Sequence, residues 1–209
     1  MNNQKINYQK ILDKKIEEIQ LKNEFPKLLL HSCCAPCSSY VIEYLSKYFD
    51  ITVLYYNPNI SPEEEYEKRK AEEIRLINEK KWENPVKFMD CDYDNDLFEK
   101  AVENLKNEPE GGKRCHICFN LRLDKTACLA KENNFDYFTT TLTISPLKDE
   151  QYINNAGNQT GKKYGVEYLF SDFKKKNGYK RSIELSKEFN LYRQNFCGCI
   201  YSKKGDINE

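Results

Sequence analysis

The stretch Leu28-Leu29-Leu30-His31-Ser32-Cys33-Cys34-Ala35-Pro36-Cys37 constrains this chain more than any other. Three consecutive apolar residues read as a strand covered on both faces, the situation of a strand inside a parallel sheet. Pro36 fits the first turn of a following helix, where its missing N–H costs nothing. Open α/β sheets build their sites at the carboxyl ends of strands, in the loops that lead into helices. Three thiols at such a junction are placed for chemistry.

The remaining segments supply the partners of this strand. Residues 51–56, 86–89, 136–142 and 166–170 are β-branched or aromatic enough to read as strands. Between them, helices are expected over about 36–48, 62–81, 95–106, 115–133 and 148–163, with a last one over 182–189. Ser61 with Pro62 is expected to cap the second of these. Ahead of the first strand, residues from Gln4 to Leu21 form an amphipathic helix with an apolar stripe at Leu12, Ile16 and Ile19. Alternating strands and helices predict one α/β domain, residues 26–209, with a doubly wound, mostly parallel sheet of about five strands. Residues 1–25 read as an N-terminal helical extension.

No run of about 18 apolar residues is present, so no membrane span is expected. Residues 1–21 are polar and lysine-rich, without the apolar centre of a signal peptide, and a cytoplasmic location is expected. The formal net charge is zero, yet it is unevenly spread. Residues 63–110 carry sixteen Asp/Glu against nine Lys/Arg, and residues 162–204 carry eleven Lys/Arg against four Asp/Glu. The basic third permits a polyanion partner, and a solvated helix surface explains it equally well.

Nine cysteines in a reducing compartment point to metal or redox chemistry rather than structural disulfides. Seven fall into three groups: Cys33, Cys34 and Cys37; Cys115 and Cys118; Cys197 and Cys199. Spaced three apart on a helix, Cys115 and Cys118 share a face. A structural zinc or one cubane cluster takes four thiolates and leaves three. Adjacent Cys33 and Cys34 suit a cluster better than a closed zinc site, because they can ligate two irons of one body. A Cys-Gly-Cys disulfide closes a strained ring, so Cys197 and Cys199 could cycle between thiol and disulfide or bind metal. Cys128 is expected on the apolar face of its helix, in the core, and Cys91 reads as incidental.

His31 reads as a packed imidazole or one behind a ligand. Arg122, one turn beyond Cys118, could offset cluster charge, grip a phosphate or form a surface ion pair. The run Lys174-Lys175-Lys176-Asn177-Gly178-Tyr179-Lys180-Arg181 could follow a nucleic-acid backbone and stack on a base, or be a solvated face. Gly111 and Gly112 do not sit in a strand-to-helix phosphate fingerprint, so no nucleotide site is expected.

Five blocks resemble one known family. They are His31-Ser32-Cys33-Cys34-Ala35-Pro36-Cys37, Tyr56-Asn57-Pro58-Asn59-Ile60, Gly111-Gly112-Lys113-Arg114-Cys115-His116-Ile117-Cys118-Phe119, Thr140-Thr141-Leu142-Thr143-Ile144-Ser145-Pro146-Leu147-Lys148 and Tyr192-Arg193-Gln194-Asn195-Phe196-Cys197-Gly198-Cys199. The chain resembles, in this order from about Leu28 to Tyr201, the QueH family of cobalamin-independent epoxyqueuosine reductases. The resemblance implies a Rossmann-like (HUP-like) sheet and reductive removal of the epoxide oxygen from epoxyqueuosine at the wobble position of tRNA. It further implies a 4Fe-4S cluster, a nearby second iron, no cobalamin and an external electron donor. By motif position, Cys33, Cys34, Cys115 and Cys118 would hold the cluster. Cys197 and Cys199 would be a redox pair or ligands of the second metal. Some relatives carry an aspartate at the position of Cys37, which implies a role outside the cluster, as a ligand of the second iron. Such a substrate needs a base splayed from its loop, which an anticodon offers. Tyr192 and Arg193 are candidates for base stacking or proton delivery.

Two rivals remain at this level. A tRNA-thiolating enzyme on a similar fold would carry Ser-Gly-Gly after the first strand, where this chain has cysteines. A zinc-binding interaction protein would be colourless.

Overall fold

The structure, a computed structural model, describes residues 6–202. Five strands, β1 (Lys27–His31), β2 (Asp50–Leu54), β3 (Lys87–Met89), β4 (Tyr137–Thr140) and β5 (Glu167–Tyr168), form one sheet in the order β3-β2-β1-β4-β5. Every pairing is parallel. The expected α/β architecture with a Rossmann-like parallel sheet is therefore the one observed.

Strand alternation explains why the first strand must be apolar throughout. Leu28 and Leu30 face a core built with Leu12, Ile16 and Ile19 of α1 (Tyr8–Leu21) and Val41 and Ile42 of α2 (Ala35–Leu45). Leu29 faces the opposite core, with Phe119 and Leu123 of α5 (Lys113–Glu132) and Ile153 of α6 (Glu150–Tyr164). Burying each such side chain contributes about 1.5–3 kcal/mol. Because α1 shares the first of these cores, it packs into the same body as the sheet. Its expected start at Gln4 lies outside the described residues.

Strand order reverses at β1: β2 and β3 lie on one side, β4 and β5 on the other. The chain leaves β1 at Ser32 and β4 at Thr141, and the crevice opens between them, at the topological switch point where doubly wound sheets bind ligands.

Several boundaries differ from expectation. β4 ends at Thr140 because its hydroxyl accepts from the Leu142 N–H (3.2 Å), starting a 3-10 turn over Thr141–Ile144. The expected helix to 106 is α4 (Asn95–Ala101) plus a 3-10 turn at Glu103–Leu105. α7 (Gly178–Glu188) starts inside the basic run and packs on α2. The N-cap of α3 (Glu63–Glu79) is Pro62 and makes no side-chain bond, so Ser61 is not the cap. Glu63, Glu64 and Glu65 meet the positive end of that helix instead. The Ser61 N–H donates to the Gly198 carbonyl at 3.0 Å. Among the described residues no helix is long and apolar enough to cross a membrane.

Candidate metal centre

Cys33, Cys34 and Cys37 form the tightest array: their three sulfurs lie within 4.8 Å of one another, and those of Cys33 and Cys34 are 3.9 Å apart. β1 delivers the first two and the opening turn of α2 the third. Thr141, arriving from β4, accepts from the Cys33 N–H (3.2 Å) and donates to its sulfur (3.4 Å), locking the two strand ends together. Hydrogen bonds from Cys34 and Cys37 push Cys33 well below the ordinary thiol range, with help from Lys148 and Thr141. Sharing with Cys33, together with burial, pushes Cys34 up to about 12 and Cys37 well above its usual value. Within the triad Cys33 is the sulfur that gives up its proton most readily.

The other four clustered cysteines, Cys115, Cys118, Cys197 and Cys199, line a small inner cavity. α5 presents the first two on one face, as the spacing predicts, and the Gly111 N–H donates to the Cys115 sulfur at 3.2 Å. Burial raises Cys118 to about 12 and Cys199 to about 11. Beside this cavity a larger cleft of about 760 Å³ is lined by Cys34, Cys37 and Cys197 together with Tyr179, Arg193 and Gln194. Its volume is in the range of small-molecule sites. Cys197 and Lys148 line both spaces, so all three cysteine groups converge on one region.

Two cations stand beside these sulfurs, Arg122 buried and Lys148 half-buried. Arg122, 1% exposed, donates through Nε to the Cys118 carbonyl (3.2 Å), while its Nη2 is buried without a partner. The sulfurs of Cys118, Cys197, Cys33 and Cys115 favour its charged form against the cost of burial. Burial works to discharge Lys148, but Cys197, Cys33 and Cys37 outweigh it and hold the ammonium more firmly protonated than usual. Desolvating a guanidinium is costly unless an anion faces it. The Glu110 and Asp149 carboxyls line the same inner cavity, and Arg122 stands where it could offset charge on the neighbouring sulfurs.

Side-chain hydrogen bonds tie the surrounding scaffold together. His31 is fully buried: Nε2 donates to the Tyr56 carbonyl (3.0 Å) and Nδ1 accepts from Thr140 (2.8 Å). Burial and Arg122 hold it neutral, down to about 3. With both nitrogens committed, it is a packed latch across three strands. Arg69 donates to Glu65 (2.6 Å) and to the Cys197 carbonyl (3.2 Å), and its guanidinium stacks 5.0 Å from the Phe196 ring. Gly198 has φ +108° and no room for a side chain, since a Cβ would stand 2.8 Å from Ile60 Cγ1 and 3.0 Å from Arg69 Nη1. Arg114 donates to the carbonyls of Leu105, Lys106 and Glu108, fixing the loop before α5.

One sequence expectation fails. Cys128 is not in the core: it is partly exposed and donates to Glu132 at 3.2 Å on the surface. The buried stripe of α5 runs through Arg114, Cys118, Arg122, Thr126 and Ala130, not through Ile117 and Leu121. Two of those buried positions are arginines, Arg114 turned to the carbonyls of the preceding loop and Arg122 beside the sulfurs, which apolar periodicity does not register. Cys91 lines neither cavity. In the basic run, Lys174 pairs with Glu150 and Asp172, Lys176 with Asp13 and Arg181 with Glu43. Tyr179 stands at the cleft, and Lys175 and Lys180 are exposed. Tyr192 is pinned to α3 through Glu65 and Glu72, whereas Arg193 lines the cleft. Sequence reasoning gave no role to Lys148, Arg69, Thr141 or Glu73. None of them stands out by residue type, and only the fold brings them to the sulfurs.

Sheet order and a thiol-rich crevice at the switch point define a class: a Rossmann-like α/β protein able to hold metal at its strand ends. The family model described as epoxyqueuosine reductase QueH matches residues 28–205. A Streptococcus pyogenes protein of that name is 46% identical over 204 residues, which span 97% of this chain and 80% of the relative. Its namesake in Staphylococcus aureus is 46% identical over 207 residues, 97% of this chain and 86% of the relative. The Thermotoga maritima namesake is 37% identical over 178 residues, 84% of this chain and 89% of the relative. The chain belongs to the QueH family.

Proposed function

We propose that this chain is an epoxyqueuosine reductase, an oxidoreductase that removes the epoxide oxygen of epoxyqueuosine in tRNA to give queuosine. The reaction adds two electrons and two protons, forms a carbon–carbon double bond and releases the oxygen as water. The observation that carries the reading is the convergence of seven cysteines from three separated segments on one crevice, in a chain whose family match covers all of them.

The donor set fits a metal group. The sulfurs of Cys33, Cys37, Cys115, Cys118 and Cys197 act on the buried Arg122 or the half-buried Lys148, and the unpartnered Arg122 Nη2 and Asn59 Oδ1 belong to residues lining the inner cavity. In the proposed assignment Cys33, Cys34, Cys115 and Cys118 hold a 4Fe-4S cluster, and Cys37, Cys197 and Cys199 serve a second iron or a redox pair. Bound there, the cluster would supply single electrons and the second iron a Lewis-acid position. A second allotment is favoured by one spacing. A tetrahedral ion with metal–sulfur bonds of about 2.3 Å sets its sulfurs about 3.8 Å apart, close to the 3.9 Å between Cys33 and Cys34. In that allotment the triad holds the single metal, and Cys115, Cys118, Cys197 and Cys199 hold the cluster.

The chain's own residues do the rest. The cleft admits a base turned out of the anticodon loop, Tyr179 offers a face to stack on, and Arg193 with the exposed Lys175 and Lys180 meets phosphates. An external donor supplies the electrons, and a cytoplasmic location fits the substrate. Expression in cells that lack their own epoxyqueuosine reductase tests this reading: tRNA nucleosides should shift from epoxyqueuosine to queuosine. Epoxyqueuosine persisting in cells that make the folded, metal-loaded protein overturns it.

A further inference from the structure

We propose that Lys148 is a catalytic residue whose ammonium binds the epoxide oxygen and stabilises the negative charge that grows on it as the carbon–oxygen bonds break. This inference rests on the reductase reading.

The backbone at Lys148 is fixed. Its N–H donates to the Ser145 carbonyl (3.3 Å), and the next residue, Asp149, caps α6 by accepting from Gln151 and Tyr152. The capping bonds commit the Asp149 carboxylate to the helix. Nearby Glu150 and Asp172 are engaged by Lys174, and no carboxylate forms an ion pair with Lys148 among the described residues. The sulfurs of Cys197, Cys33 and Cys37 favour its ammonium and Arg122 opposes it, while Glu110 lines both spaces with it and Asp149 the inner one.

Placement separates Lys148 from every other cation at the site. Arg114 and Arg122 line only the inner cavity and Arg193 only the cleft, whereas Lys148 lines both. An oxygen on a substrate that enters through the cleft and reacts beside the sulfurs must pass this ammonium. Reductive opening breaks both carbon–oxygen bonds, places two electrons from an external low-potential reductant in the new carbon–carbon double bond, and releases the oxygen with two protons as water. The protons come from water in the open cleft, and Lys148 remains an ammonium throughout. A fixed cation aimed where charge develops in a partly dehydrated site acts without reorganising during the reaction.

The test uses Lys148→Met and Lys148→Arg in the full chain, purified and metal-loaded without oxygen, with dithionite as reductant. Removing one such donor lowers turnover on the order of 10²-fold. Lys148→Met is expected to show that loss with iron content and affinity for epoxyqueuosine tRNA unchanged, and Lys148→Arg to recover most of the rate. A second measurement uses metal-free wild-type protein. Epoxyqueuosine tRNA should protect Lys148 from reductive methylation more strongly than the same tRNA carrying queuosine, as read by peptide mass spectrometry. Lys148→Met turning over at the wild-type rate overturns the proposal. If that variant fails to fold or load metal, equal protection by the two tRNAs overturns it, and stronger protection by epoxyqueuosine tRNA supports it. Failure of the wild type itself to form queuosine would instead contradict the reductase reading.

Discussion

The Arg69 guanidinium donates to the carbonyl of Cys197 at 3.2 Å and to Glu65 at 2.6 Å, tying the C-terminal cysteine arm to α3. Arg69 is 2% exposed, and that arm carries no regular structure except a short 3-10 turn after Cys199. Breaking one side of a buried ionic contact costs about 3–5 kcal/mol. Arg69→Met should therefore destabilise the chain by about 3 kcal/mol in urea unfolding and loosen Cys197 and Cys199, seen as faster alkylation of both in the metal-free protein. Unchanged alkylation would mean that something else holds the arm.

Gly198→Ala probes the same arm from the other side. The left-handed backbone and the contacts to Ile60 and Arg69 leave no space for a methyl group. Strain of this kind costs about 1–3 kcal/mol, and bound iron per chain should fall while the far-ultraviolet spectrum stays native.

Iron counts distinguish the two cysteine allotments. If Cys33, Cys34, Cys115 and Cys118 hold the cluster, Cys33→Ser loses acid-labile sulfide and Cys197→Ser retains it. The reverse pattern assigns the cluster to Cys115, Cys118, Cys197 and Cys199. Cys128→Ser, on the surface, should leave iron, sulfide and stability unchanged.

Burial raises the Glu73 carboxyl from 4.5 to about 7, against hydrogen bonds from Ser38 and Ser32. The folded chain therefore holds this proton more tightly than the unfolded one. Its contribution to stability is full below about pH 4.5 and is lost as pH rises through about 7. Relative to Glu73→Gln, the metal-free wild type should lose about 2–3 kcal/mol between pH 5 and 8. Parallel pH profiles for the two proteins would contradict this environment for Glu73.

The basic segment divides by partner. Lys175→Ala and Lys180→Ala should each weaken tRNA binding and reduce the slope of log affinity against log salt by about 0.7. Arg181, committed to Glu43 through two hydrogen bonds at 2.9 and 3.0 Å, should affect stability rather than that slope. Because the pair is partly exposed, the change should stay below about 1 kcal/mol.

How far the sequence reads depends on which physics writes each feature. Leu28 to Leu30 must be apolar on both faces, so the buried strand and its parallel sheet are plain in the residues. The Cys115 and Cys118 pair follows from helical spacing. The end of β4 is less legible, because a single Thr140 hydroxyl bond diverts the backbone and propensity favours continuing the strand. Periodicity misplaces Cys128 because α5 buries Arg114 and Arg122, the first against carbonyls of the preceding loop and the second beside sulfurs, neither of which an apolar pattern registers. Grouping Cys37 with Cys33 and Cys34, and Cys197 with Cys115, depends on side-chain directions that spacing does not encode.

The central claim, that this crevice reduces epoxyqueuosine through its cysteine-held metal, is tested most directly by nucleoside analysis of epoxyqueuosine tRNA after incubation with dithionite. Metal-loaded wild-type protein should convert epoxyqueuosine to queuosine, and metal-free protein and Cys115→Ser should leave it unchanged. Epoxyqueuosine surviving with the loaded protein, or queuosine forming equally well without metal, would contradict the account.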